Sequence, residues 1–341
     1  MLVAALALLL PATQQTARAQ TLAADLAAQY GLATSTQFPF PTATSSSADA
    51  QELIVNDWSL GKGRIQEGGN NMDFVADPFP NSSIFSGNNN TSPVLRVTYP
   101  QGSFNRQTGG AQFYNLWNST DGSPFQSMML SYEVAFDEDF DFVKGGKLPG
   151  LRGGLDSNGC AGGSESDGEH CWSARLMWRR FGNGEVYAYI PKPNGLCNAR
   201  DIRCDDDFGI SVQRSKFTWI KGTWNRVTLL VQMNDPVDIA NGNIRMYYND
   251  LLAISQENLQ LRSASSLNAN GLFFSSRHHP GNDDSWATPI DTHAYFRNIQ
   301  MWGSGNPSTL EGEHVQGASQ RTAVPLVIVS LAAMLSGALL W

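Results

Sequence analysis

From Leu53 onward, apolar and polar positions alternate in short runs. Val94–Tyr99, Ala111–Trp117, Met128–Phe136, Ala174–Arg180 and Glu185–Ile190 each read as a strand. So do Arg226–Met233, Ile244–Tyr248, Leu272–Ser276 and Ala294–Trp302. These runs are rich in Val, Tyr, Phe and Trp and are bounded by Gly, Pro, Asn and Asp. No long helical period follows residue 50, and no strand–helix–strand rhythm recurs. The pattern therefore predicts an all-β, single-domain β-sandwich or jelly roll. Phe181-Gly-Asn-Gly184 predicts a hairpin turn joining two neighbouring strands. Ahead of the β pattern, Leu22 to Tyr30 reads as a short helix. Thr34 to Ser47 is rich in Ser, Thr and Pro and reads as a linker or surface wrap.

The two ends carry different signals. Residues 1–19 pair an apolar run, Met1 to Leu10, with a small-x-small site, Ala17-Arg-Ala19, and predict a secretory signal peptide. A buried N-terminal helix is the alternative. Residues 20–52 are expected to be a linker with the short helix, and 53–303 the folded domain. Residues 304–322 read as a stalk. Residues 323–341 form an uncharged apolar tail preceded by small residues at Gly317-Ala-Ser319 and Gly303-Ser-Gly305, which reads as a signal for a glycosylphosphatidylinositol (GPI) anchor. A membrane-spanning tail helix is the alternative. The expected location is outside the cell, attached at the surface, with membrane contact only through that tail.

Composition narrows the partners. The chain has 341 residues, is 41% hydrophobic, and carries a formal charge of −8. That charge argues against nucleic acid, which needs a basic surface. A monomer is expected. In an exported chain, an even count of four cysteines implies disulfides. Of three possible pairings, the local one, Cys160–Cys171 with Cys197–Cys204, closes two short loops. Sequons at Asn81, Asn89, Asn90 and Asn118 predict glycosylation of an exposed N-terminal third.

The candidate chemistry lies between Tyr132 and Pro191. Ser173-Ala-Arg175 and Tyr187-Ala-Tyr189 are i, i+2 pairs, and on strands each pair shares a face. The predicted hairpin sets those strands side by side. Lys144-Gly-Gly-Lys147-Leu-Pro-Gly150 reads as a Gly-rich turn with Lys147 at the rim of that wall. A lysine, a guanidinium and two phenols suit anionic sugars and proton transfer. Glycoside hydrolysis would instead want two facing carboxylates, and nothing brings any two of Glu133, Glu185 and Asp291 together. Each residue also has an ordinary reading, as cross-strand packing or surface charge.

As an ordered set, these pieces resemble polysaccharide lyase family 14, the alginate and glucuronan lyases. Tyr99-Pro-Gln-Gly-Ser103, Gly109-Gly-Ala-Gln-Phe-Tyr114, Tyr132-Glu-Val-Ala-Phe136 and Trp286-Ala-Thr-Pro289 belong to the same resemblance, which spans Leu95 to Trp302. It implies a jelly roll with an open cleft on one sheet and β-elimination on an acidic polysaccharide, a polyuronate. It also implies that Lys147, Ser173, Arg175, Tyr187 and Tyr189 occupy the active-site positions. Ser276-Arg-His-His-Pro-Gly281 and the insert between Leu151 and Trp172 depart from the family pattern and leave the substrate open.

The chemistry fits those residue types. Elimination removes a C5 proton that is acidic only when the C6 carboxylate is neutralised. Arg175 suits that role through its bidentate fork. Lys147, Tyr187 and Tyr189 are the candidate acid and base. Their free pKa values of about 10 are expected to be pushed down by neighbouring cations. Ser173, Gln112 and His279 are expected to contact substrate, and no cofactor or metal is required. Asp205-Asp-Asp207 reads as a solvated loop before a Ca²⁺ site, and Trp117, Trp178 and Trp286 as core before sugar platforms. A non-catalytic carbohydrate-binding or cell-wall protein on the same fold is the alternative function.

Overall fold

The computed structural model describes residues 22–82, 92–104, 108–154, 160–163, 165–193, 195–206, 208–278 and 283–315. The predicted signal peptide, the apolar tail with its Gly317-Ala-Ser319 site, Asn89, Asn90, Asp207 and His279 lie outside these residues, whereas the Gly303-Ser-Gly305 site lies within them. Among the described residues, no helix is long and apolar enough to cross a membrane.

Two short helices and seventeen strands make up the described fold. The helices are α1 (Ala23–Gln29) and α2 (Ser47–Asp57). The first strands are β1 (Thr34–Gln37), β2 (Met72–Val75), β3 (Val94–Tyr99), β4 (Ala111–Tyr114) and β5 (Ser127–Phe136). The middle of the chain supplies β6 (Gly145–Gly154), β7 (Cys171–Arg179), β8 (Gly184–Tyr189), β9 (Ile202–Cys204), β10 (Ile210–Val212) and β11 (Asn225–Gln232). The last are β12 (Ile239–Ala240), β13 (Gly242–Tyr248), β14 (Leu251–Leu259), β15 (Gly271–His278), β16 (Thr292–Ser304) and β17 (Glu313–His314).

The strands form two stacked antiparallel sheets. One runs β14-β13-β11-β5-β16-β3-β2, with β1 also on β16, and the other runs β4-β15-β6-β7-β8-β10-β9. Between them lies one apolar layer. Leu130, Tyr132, Val134 and Phe136 of β5 join Trp172, Ala174, Leu176 and Trp178 of β7 in that core. Each of the Val, Leu and Phe side chains, fully buried, contributes about 1.5–3 kcal/mol. The Tyr132 hydroxyl satisfies itself across the layer by donating to the Pro149 carbonyl at 3.0 Å. The sandwich predicted from the alternating pattern is the fold observed.

Three local expectations change. The stretch before residue 53 is not a free linker. The Ser46 hydroxyl accepts the Asp49 N–H at 3.3 Å and caps α2. Ala50 and Ile54, one turn apart on α2, then enter the main core. The first part of the predicted stalk, residues 304–315, is likewise packed on the domain. Asn243 donates to Ser308 at 3.1 Å, and β17 pairs with β12, so the chain stays on the domain through Val315.

The third change concerns the site. The Gly-rich stretch around Lys147 is not a turn at a rim but a central strand, β6, between β15 and β7. Glycine is needed there for close approach. A Cβ on Gly146 would meet the Trp178 ring at 1.8 Å, and one on Gly150 the Ala174 carbonyl at 2.1 Å. A register shift between Lys147 and Gly150 lets Leu148 and Leu151 both reach the core.

Candidate active site

The hairpin prediction holds and builds the wall. In register, Arg175 faces Tyr187 and Ser173 faces Tyr189 across β7 and β8. The alternate residues Trp172, Ala174, Leu176, Val186 and Ala188 all enter the core, so the functional set lies on the outer face. On the other flank, Lys147 of β6 faces Met177, and Arg277 of β15 faces Lys147. Beyond that, Ser275 of β15 faces Gln112 of β4. One sheet face thus gathers Gln112, Lys147, Ser173, Arg175, Tyr187 and Tyr189 from four strands, β4, β6, β7 and β8.

Arg175 lies at the centre of the face and is 1% exposed. Its guanidinium rests 4.3 Å from the Phe273 ring centroid and 5.8 Å from that of Tyr189. Nη1 donates to Ser275 Oγ at 3.5 Å, while Nε and Nη2 have no hydrogen-bond partner among the described residues. Burial draws its pKa down to about 10, opposed by Tyr189 and Tyr114. At neutral pH it therefore stays cationic. A buried cation with two unpartnered donors and, among the described residues, no carboxylate paired to it is costly to hold unless an anion arrives to meet it.

The Tyr187 phenol departs from expectation. Burial pushes the Tyr187 phenol above its ordinary value, Tyr189 and Asp205 add to the rise, and Arg179 opposes it. The predicted downward push fails because desolvation outweighs the cations. The nearest of these, Arg179, is already engaged by the fully buried Glu185 at 2.6 Å. Glu185 also accepts from Arg214 at 2.5 Å and from Ser211 at 2.6 Å. Tyr187 is thus a protonated phenol on a firm ionic floor. The Tyr189 hydroxyl accepts the Gly162 N–H at 3.2 Å.

Ser173 is fully buried, and its hydroxyl donates to the Cys160 carbonyl at 2.7 Å. It faces the disulfide loop, not open cleft. Both predicted disulfides are present, and Cys160–Cys171 packs with Met177, Tyr187 and Tyr189. The described part of the insert, around Cys160, Gly162 and Cys171, therefore walls one end of the face.

Several neighbours escaped the sequence reading. Phe273 supports Arg175. Tyr114 lies beneath Arg152 at 5.2 Å, and burial raises its phenol against the pull of Arg175, Arg152 and Arg277. Its i+2 spacing from Gln112 was the signal available. Arg277 and Glu67 form an ion pair beside Gln112. Trp178 is core, as expected, and Trp117 packs on Phe125 at 4.6 Å.

His278 points inward. It packs among Tyr99, Phe140 and Trp178, and neither ring nitrogen has a hydrogen-bond partner among the described residues. Burial draws its pKa down to about 4. Below pH ~6.5 the unfolded chain binds a proton there that the folded chain refuses, so stability falls as pH drops toward 4. The expected loss over that window is on the order of 3 kcal/mol. Denaturant titration from pH 7 to 4 checks this, and His278→Phe flattens the dependence. An equal slope in that variant excludes His278 as its source.

A buried guanidinium with two unpartnered donors, flanked by a lysine and phenols on the outer face of one sheet, suits an acidic glycan. The family model for polysaccharide lyase 14 matches residues 87–299, and the chain belongs to that family: it is a polysaccharide lyase. Among solved structures, the PL-14 alginate lyase from Aplysia kurodai is 29% identical with a TM-score of 0.64, covering 80% of this chain and 98% of that one. Alginate lyase Aly36B is 18% identical with a TM-score of 0.56, covering 82% and 98%. The alginate lyase from Chlorella virus is 21% identical with a TM-score of 0.51, covering 70% and 95%. The last two bear on the fold alone. No curated protein matches the chain.

Proposed function

We propose that this lyase cleaves a polyuronate, alginate or glucuronan, by β-elimination on the outer face of β6, β7 and β8. The observation that carries the reading is the buried Arg175 guanidinium whose Nε and Nη2 have no hydrogen-bond partner among the described residues. It receives the C6 carboxylate and stabilises the enolate that forms when C5 loses its proton. Lys147, one strand away and one rung along, takes that proton, which requires its amine unprotonated at the moment of reaction. The electron pair forms the C4–C5 double bond, the C4–O4 bond breaks, and O4 takes a proton from Tyr187. The raised Tyr187 pKa keeps the phenol protonated through neutral pH, as a proton donor needs. Tyr189 holds the loop end of the wall through Gly162. A solved Aly36B complex contains an alginate trisaccharide, in keeping with an acidic polymer as substrate.

The address is part of the proposal. The predicted signal peptide and apolar tail support export and GPI attachment at the cell surface, as a monomer. Two disulfides fit an oxidising compartment, and Asn81 and Asn118 are exposed for glycosylation. The test is ultraviolet absorbance of the conjugated uronate product, with alginate and glucuronan in parallel. A rise on one polymer is expected and identifies it. No rise on either, with the protein still retained on a polyuronate column, would move the reading to a binding protein.

A further inference from the structure

One neighbour of the wall, Glu67, lies upstream of the residues the family model matches. Segment 59–67 runs along the free side of β4. Leu116 N–H donates to Ser59 O at 2.9 Å and Gly61 N–H to Tyr114 O at 2.9 Å. Glu67 and Gln112 exchange backbone hydrogen bonds of 3.2 and 2.9 Å. The Glu67 carboxylate accepts from Arg277 Nη1, and Arg277 Nη2 donates to Gln112 Oε1. Ser275 Oγ donates to the same oxygen at 3.5 Å. Close approach is enforced by glycine at Gly110, whose φ is +75° and where a Cβ would lie 1.9 Å from the Ser276 carbonyl.

We propose that Glu67 and Arg277 are positioning residues that fix the Gln112 carboxamide so that its Nε2 faces the cleft as a donor to the acidic polymer. A guanidinium donates and never accepts, so the amide oxygen must turn toward Arg277 and the NH₂ away from it. Glu67 holds the guanidinium in place and cancels its charge. Gln112 is half-buried, whereas Arg277 is 3% exposed. The polymer therefore meets a neutral donor at this edge, and the unpaired charge stays at Arg175. Specificity at the edge then favours a uronate carboxylate or hydroxyl acting as acceptor.

The inference rests on the polyuronate reading, and binding and turnover separate the two. Kd for alginate and glucuronan oligosaccharides is measured in a Lys147→Met background, and KM and kcat with Lys147 intact. Gln112→Glu is nearly isosteric and keeps an oxygen for Arg277, but presents a second oxygen to the polymer. It is expected to weaken Kd by about tenfold or more, as expected when a donor becomes a like charge. Glu67→Gln and Gln112→Ala each weaken binding about three- to tenfold, with the loss falling on KM more than kcat. The double variant is no weaker than Gln112→Ala alone, because the two act through one contact. Tight binding by Gln112→Glu, or multiplying losses in the double variant, overturns the proposal while product formation leaves the lyase intact. A chain that makes no product but binds either polymer still decides the relay through Kd, and one that binds neither overturns both.

Discussion

Replacing Arg175 with Gln is expected to lower turnover on the active polymer by about 10²–10³-fold, the usual loss when one preorganised donor to a developing oxyanion is removed. KM should rise as well, because the guanidinium grips the carboxylate before and during elimination. Arg175→Lys is not expected to rescue, since an ammonium cannot offer the Nε and Nη2 pair together. Stability should change little or improve. The wild-type cation is buried on Phe273 with two open donors, and removing it relieves a desolvation cost. Initial rates by ultraviolet absorbance, beside thermal unfolding of each variant, check both halves. An Arg175→Gln protein with near wild-type kcat would remove Arg175 from the mechanism.

Lys147→Met is the second large effect, and its pattern differs. Met fills the space of a side chain that is only 7% exposed, so the sheet should hold. If Lys147 takes the C5 proton, kcat falls by about 10²–10⁴-fold while KM stays near its original value. If it instead neutralises the carboxylate, KM rises along with the fall in kcat, as for Arg175. The split between the two constants is the measurement. Product formation at the wild-type rate would exclude both roles.

These residues were legible for unequal reasons. Arg175 and Tyr187 could be paired from sequence because their strands are consecutive and a Gly-Asn-Gly turn joins them. Period-two alternation then fixed which side chains shared a face. Lys147 was legible in kind but not in place. Glycine and proline disfavour strands locally, so β6 read as a turn; pairing with β7 and β15 holds it extended, and Trp178 and Ala174 leave room only for bare backbone. The direction of the Tyr187 shift was missed because it depends on burial, which spacing does not report. Glu67 and Arg277 lie 210 residues apart, and no local pattern connects them. The helix at Ser47–Asp57 was hidden by the Ser/Thr/Pro-rich approach that leads into its cap.

The way the cleft sheet ends has a further consequence, for association between molecules. An uncovered sheet edge is a template on which another chain can add a strand. Here the β4 side is occupied by segment 59–67 of the same chain. The β9 side ends in a three-residue strand that carries an exposed Arg203 and is tethered through Cys204 to Cys197. Neither rim offers a long bare ladder. Among the described residues, the sides of this sheet are therefore closed to an added strand, so self-association by strand addition is disfavoured at this sheet.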